Sequence, residues 1–397
     1  MPSEKQFAAP ESLGLDPAAI DALVARAQAA VDAGDIPSCQ LALARRGRIA
    51  FMATLGRATC QGRPVVPTND TLYAVFSCTK GLMAAAAWLL MQDGRLDPSR
   101  RVAEVVPEFG TNGKDVVTIE QLYLHTCGFP SAPFSPLDWD DHARRRERFA
   151  RWRLESEPGT RFVYHPTSSM WVAAEVIERL SGLDYRRFVR ERIAEPLGLP
   201  ELRIGVPDGE HGRVADVVYT GAVASPEELV AAGWPAEPSR NDVGEDAILA
   251  LNTPAVRRIG LPGGGAITTA GELALFYQAL VGDGRGADTA RILRADTVAR
   301  GLIVRSGDLT DPLSGKAANR ALGMVVAGDT DRAARGFGPS GSPRMFGHNG
   351  AGGQIAWADP ETGLSFAFCT NGFDRNALRQ GRRTVALSAR ASACVAR

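Results

Sequence analysis

Ser77-Cys78-Thr79-Lys80-Gly81-Leu82-Met83-Ala84 opens an apolar run that continues to Gln92 and stops at Asp93-Gly94. Ala, Leu and Met are strong helix formers, and an aspartate–glycine pair marks a turn. The pattern predicts a helix from Ser77 to Gln92. Residues three apart share a helix face, so the Lys80 amine can reach the Ser77 hydroxyl. A helix N-terminus also supplies partial positive charge and free backbone N–H groups, which suit a developing oxyanion. Serine needs a base before it attacks, and arginine cannot be one. Lysine can, once desolvation or positive neighbours lower its pKa. Only four lysines occur, Lys5, Lys80, Lys114 and Lys316, so nearly all the basic residues are arginine. Four lysines still give about 0.3 chance matches to S-x-x-K at ordinary serine usage. On this motif alone, a plain helix start stays open.

Elements on both sides follow from local signals. Asp16-Pro17 is a cap followed by proline at the first helical position, and Gly34 ends that helix. Gln40–Arg45 and Arg48–Leu55 read as strands joined at Arg46-Gly47. The middle is helical, with stretches near Ser168–Leu180 and Asp184–Ala194, and Thr269 with Glu272 forms a capping box ahead of Leu273–Val281. The last third returns to strands at Leu322–Ala327, Gln354–Ala358 and Leu364–Thr370, before a helix from about Asn376 to Ala393. Strands at both ends with helices between predict an α/β (α+β) chain: one antiparallel sheet flanked by helices, built from both termini, with a mostly helical subdomain inserted. As one catalytic unit over 1–397, it divides into a sheet-containing part, 1–72 with 262–397, and a mostly helical part, 73–261.

Composition narrows the function. The 397 residues carry 45 basic and 45 acidic side chains, so no net charge favours nucleic acid. No run reaches the ~18 apolar residues of a membrane span. The first residues lack the apolar segment of a secretory signal, which points to the cytoplasm. Cys39, Cys60, Cys78, Cys127, Cys369 and Cys394 show no metal-ligand spacing and are expected to be reduced and buried. Gly336-Phe337-Gly338-Pro339-Ser340-Gly341 matches a dinucleotide-binding string, but no strand precedes it and no helix follows, so it reads as a loop. No lysine precedes Ser or Thr, and no G-x-S-x-G occurs. Arg144-Arg145-Arg146-Glu147-Arg148 reads as a solvated helix face, and His142 and His211 as surface residues.

Two further segments carry candidate chemistry. Tyr164, in Gly159-Thr160-Arg161-Phe162-Val163-Tyr164-His165-Pro166, stands just before a helix, where a phenol beside lysine can relay protons. A tyrosine in such a loop can equally be a packing residue. Gly347-His348-Asn349-Gly350-Ala351-Gly352-Gly353 precedes a strand, and its glycines would let a substrate approach the backbone closely. A glycine turn with a surface histidine is the alternative.

In this order, the three segments resemble the serine β-lactamase-like and penicillin-binding-protein superfamily, nearest its carboxylesterase branch, with class C β-lactamase and D-Ala-D-Ala carboxypeptidase relatives. The resemblance runs from about Asp16 to the C-terminus and includes Leu124-His125-Thr126-Cys127-Gly128-Phe129-Pro130 and the glycine turn Pro262–Ala266. It implies a β-lactamase/transpeptidase-like fold and a serine hydrolase of small-molecule carboxylic esters working through an acyl-enzyme. Ser77 would be the nucleophile, Lys80 its base, Tyr164 the proton relay and His348 the third-motif residue. The N–H groups of Ser77 and Ala351 would form the oxyanion hole, and Gly350, His165 and Phe134 would meet the substrate. His125 would be structural. No metal or organic cofactor is implied, and a homodimer is left open. Where the family carries Y-x-N, this chain has Tyr164-His165-Pro166. The missing amide weighs against peptide and β-lactam substrates. Acyl transfer to another acceptor, amide or β-lactam hydrolysis, and a non-catalytic ligand sensor are the alternatives.

Overall fold

The computed structural model describes residues 6–236, 243–281 and 292–396. Its framework is a six-stranded antiparallel sheet formed by β1 (Ser38–Arg45), β2 (Arg48–Gly56), β3 (Val325–Val326), β4 (Phe346–Gly350), β5 (Gln354–Asp359) and β6 (Leu364–Thr370), in the order β3-β4-β5-β6-β1-β2. The first two strands and the last four thus come from opposite ends of the chain. Five helices position the rest: α1 (Pro17–Asp32), α2 (Thr79–Gln92), α3 (Ser168–Ser181), α4 (Ala270–Val281) and α5 (Ala377–Ser392).

Residue size alternates along the central strands and decides which helix covers which face. Leu41, Leu43, Ile355, Trp357, Phe366 and Phe368 share a core with α1 and α5 residues such as Leu23 and Leu387. The intervening Ala42, Ala44, Ala356, Ala358 and Ala367 face the other way, into the core holding α4 and α2. Side chains on a strand alternate faces, so small residues let α4 approach closely while large ones fill the space under α1 and α5. Each fully buried Leu or Phe contributes roughly 1.5–3 kcal/mol. Asp16 caps α1 by accepting from the Ala18 N–H at 2.9 Å, as expected from Asp16-Pro17.

Helix α2 is buried along nearly its whole length, from Thr79 to Met91. A helix apolar all round belongs in the interior, and this one packs against α3 and beneath the sheet. A small sheet joins Tyr73–Ala74, Ala266–Thr268 and Arg203–Ile204 and leads directly into α2. Phe76 then bridges to Gly265, and its φ of 45° is left-handed. Such a conformation costs about 1–3 kcal/mol in a bulky residue and turns the chain sharply before Ser77.

Several local expectations are corrected. Leu322–Ala327 keeps only Val325–Val326 as strand, because Gly323 has a left-handed φ of 82°. Thr269 accepts from the Glu272 N–H at 3.2 Å, but the Glu272 carboxylate does not close the capping box. It is buried and accepts from the Glu201 N–H at 2.8 Å. His211 is buried, bonded to the Val206 carbonyl at 2.9 Å. Arg145 leaves the otherwise exposed arginine run for the interior, where it meets Glu175 at 3.3 Å and Glu178 at 2.8 Å. All six cysteines are free and buried. Among the described residues, no helix is long and apolar enough to cross a membrane.

Candidate active site

Three chain segments converge where α2 begins. Ser77 lies one residue before the cap position, and Thr79 fixes the turn by donating its hydroxyl to the Phe76 carbonyl at 2.5 Å and accepting from the Ala266 N–H at 2.9 Å. Lys80, one turn along, is 1% exposed. Its Nζ lies 2.7 Å from the Gly263 carbonyl, 2.9 Å from the Pro166 carbonyl and 3.3 Å from Ser77 Oγ. Tyr164 donates its hydroxyl to Ser77 Oγ at 2.8 Å, and Lys80 Nζ lies 5.0 Å from the phenol ring centre.

A neutral amine has two N–H donors and one lone pair. The two carbonyls take the donors, which leaves the lone pair for the serine proton. Burial pushes the Lys80 pKa below its ordinary value; Tyr164 opposes that shift and Arg320 reinforces it. The arrangement can therefore take a proton from Ser77 and pass one through Tyr164.

His348 sits on β4 opposite Ala356. Its Nε2 lies 3.2 Å from Arg320 Nη1, and its Nδ1 lies 2.6 Å from the Asn349 carbonyl. Arginine only donates, so Nε2 accepts and Nδ1 carries the proton. Burial, then Arg320 and Lys80, hold its pKa well below the ordinary histidine range. His348 is thus a neutral ring with both nitrogens engaged. The Cys78 thiol donates to the His348 carbonyl at 3.1 Å and ties β4 to α2.

Gly350 ends β4 opposite Gln354. A Cβ there would lie 2.5 Å from the Val75 carbonyl, so only glycine lets this strand end approach the nucleophile's segment. The next turn is held from behind: Arg383 donates to the Gly352 carbonyl at 3.3 Å and Thr384 to the Gly353 carbonyl at 3.2 Å. The partly buried Ala351 packs against the cluster that includes Phe76, the residue before Ser77.

One expected substrate contact, His165, is corrected, and the other, Phe134, is only partly buried. His165 is fully buried, its Nε2 accepting from the Phe129 N–H at 3.1 Å and its Nδ1 donating to the Val163 carbonyl at 2.5 Å. Burial pushes its pKa down to about 4. It braces the loop carrying Tyr164, and His125 assists by accepting from the His165 N–H at 3.2 Å. Phe134 packs in an aromatic cluster, 4.6 Å from Trp171 and 5.6 Å from Phe149 between ring centres. The residue that sequence reasoning passed over is Arg320. It lies beneath Tyr164, with its guanidinium carbon 5.5 Å from that ring centre. Among the described residues, no group of three His, Cys, Asp or Glu side chains is placed to hold a metal ion.

Known proteins share this architecture. The esterase/beta-lactamase LipL of Mycobacterium tuberculosis is 29% identical over 325 residues, which covers 76% of this chain and 70% of LipL. The structure of a penicillin-binding protein homologue from Caulobacter crescentus superposes with a TM-score of 0.77 at 28% identity, covering 96% of this chain and 99% of that one. A family VIII carboxylesterase structure gives a TM-score of 0.75 at 27% identity, covering 95% and 98%. The family model described as beta-lactamase matches residues 20–391, a span that includes Ser77, Lys80, Tyr164 and His348, and the chain belongs to the beta-lactamase family.

Proposed function

We propose that this protein is a serine hydrolase that cleaves small carboxylic esters through an acyl-enzyme on Ser77. The observation that carries the reading is the pair of contacts on Ser77 Oγ, from Tyr164 at 2.8 Å and Lys80 at 3.3 Å, with the lysine donors already taken by carbonyls. Ser77 Oγ attacks the ester carbonyl as its proton passes to Lys80 Nζ. The N–H groups of Ser77 and Ala351 hold the oxyanion. Tyr164 protonates the departing alkoxide and is reprotonated from Lys80. Water then reverses these steps to release the acid.

Esters are favoured over amides by Pro166. Amide-processing members of the family carry asparagine at that place, able to donate and accept at once. Proline has no polar side chain, and its carbonyl is occupied by Lys80 at 2.9 Å. A lost hydrogen bond costs roughly 0.5–1.5 kcal/mol, and an unsatisfied buried partner about 1–3. That amounts to a tenfold to hundredfold penalty for a substrate with a poor leaving group. The esterase relatives lend further support. The test compares kcat/KM for p-nitrophenyl butyrate and a chromogenic cephalosporin. The butyrate ester should win by at least about tenfold; equal turnover of the cephalosporin would contradict the ester preference.

A further inference from the structure

Arg320 is 9% exposed and stands at the seam of the site. Three other buried arginines have acidic partners: Arg145 has Glu175 at 3.3 Å, Arg257 has Asp216 at 2.9 Å and Arg383 has Asp374 at 3.3 Å; Arg335, 8% exposed, instead donates to the Ala317, Ala327 and Thr330 carbonyls. Among the described residues, no carboxylate forms an ion pair with Arg320. Its Nη1 donates to His348 at 3.2 Å, its Nε has no partner, and its guanidinium carbon lies 5.2 Å from the Phe162 ring centre and 5.5 Å from that of Tyr164. Guanidinium cannot shed its proton to escape burial. A buried charge without an ion-pair partner is costly and persists only where the rest of the structure enforces it. Its field falls on whatever lies beside it.

We propose that Arg320 is a positioning residue for the reaction: its charge, which shares the face of the Tyr164 ring with Lys80 and bonds His348, favours the proton-accepting form of the Lys80 amine and steadies the phenol as it gives up its proton. This rests on the Ser77 acyl-enzyme reading. The groups around Lys80 are Tyr164 and His165 from the loop before α3, His125 after the short helix Ile119–Leu124, Tyr277 from α4 against Gly81, His348 from β4, Arg320 before β3, and Cys78 beside it. Among the described residues no carboxylate belongs to this set; Asp311 and Arg335 act on Arg320 without forming an ion pair with it. The histidines are neutral through burial, so Arg320 is the lasting positive charge of the cluster.

Arg320→Gln keeps a donor for His348 Nε2 and removes the charge, and Arg320→Lys keeps the charge. The rate of acylation by p-nitrophenyl butyrate is measured from pH 5 to 10, with Ser77 labelling by a serine-directed phosphonate followed by intact mass. Removing a positive neighbour lets lysine hold its proton to higher pH. The acid limb of the Gln variant should therefore move up by about one pH unit, a roughly tenfold loss below the limb that fades at alkaline pH. The Lys variant should keep the wild-type position. Arg320→Met serves in the same comparison if the Gln variant does not fold. A Gln or Met limb at the wild-type position with uniformly lower rate overturns the proposal, as does a defect confined to anionic esters. If the wild type forms no Ser77 adduct, the acyl-enzyme reading itself fails. An adduct with an unmoved limb sinks only the role of Arg320.

Discussion

The proposed role of Lys80 as a base rests on surroundings that supply acceptors for two N–H groups and, among the described residues, no anion for a third. Gly263 and Pro166 offer neutral carbonyls at 2.7 and 2.9 Å, while burial disfavours the ammonium form. Lysine and arginine are not interchangeable at such a position. Lys80→Arg keeps charge and length but cannot accept the Ser77 proton. Its turnover of p-nitrophenyl butyrate should fall by about 10³, the scale of losing a nucleophile's activating base. A variant keeping a tenth of the wild-type rate would mean that Lys80 only supplies charge. For the wild type, the lowered lysine pKa places the neutral form within reach, so kcat/KM should climb from acid toward neutral or alkaline pH. A coupled Lys80–Tyr164 pair gives apparent values that belong to the pair.

At the scale of elements, the site is a meeting of a helix start, a loop and a strand end. Gly350 sets the closeness of the last two. Gly350→Ala would place Cβ 2.5 Å from the Val75 carbonyl and displace the turn carrying Ala351, the proposed second oxyanion donor. Losing one oxyanion donor costs about 10²–10³ in kcat, so a fall of that size, with KM little changed, is the expected outcome. An unchanged kcat would remove Ala351 from the oxyanion hole. The sequence shows these elements unevenly. The strands β1, β2, β5 and β6 and the helix α2 were readable because apolar runs and turn residues bound them. Leu322–Ala327 looked like a longer strand because composition does not reveal that Gly323 is left-handed. Arg320 carries no signal at all: it follows Asn319 in an irregular segment, and its partners Tyr164 and His348 are distant in sequence. Sequence places His165 beside Tyr164, but its partners Phe129 and Val163 are set only in three dimensions.

The whole molecule also stores a buried acid outside the site. Glu272 on α4 accepts from the Glu201 N–H, and its other oxygen has no partner. Burial raises its pKa from 4.5 to about 8. The folded chain then holds a proton that the unfolded chain releases above its ordinary carboxylate pKa. Stability from this group is fully present below pH 4.5 and is lost progressively as pH rises to about 8. Glu272→Gln keeps an acceptor for Glu201 without a charge to bury. It should raise the urea midpoint at pH 8.5 and leave it little changed at pH 5; equal midpoints for both proteins at both values would show Glu272 to be freely ionised.

All of the chemistry proposed for this fold passes through one covalent bond, from Ser77 Oγ to the substrate's acyl carbon. Intact-mass spectrometry of wild type and Ser77→Ala, quenched in acid within the first turnovers of a p-nitrophenyl ester, tests it directly. The wild type should gain the mass of one acyl group, mapped to the peptide containing Ser77, while Ser77→Ala gains none. Ester turnover without an adduct, or the same adduct on Ser77→Ala, would contradict the account.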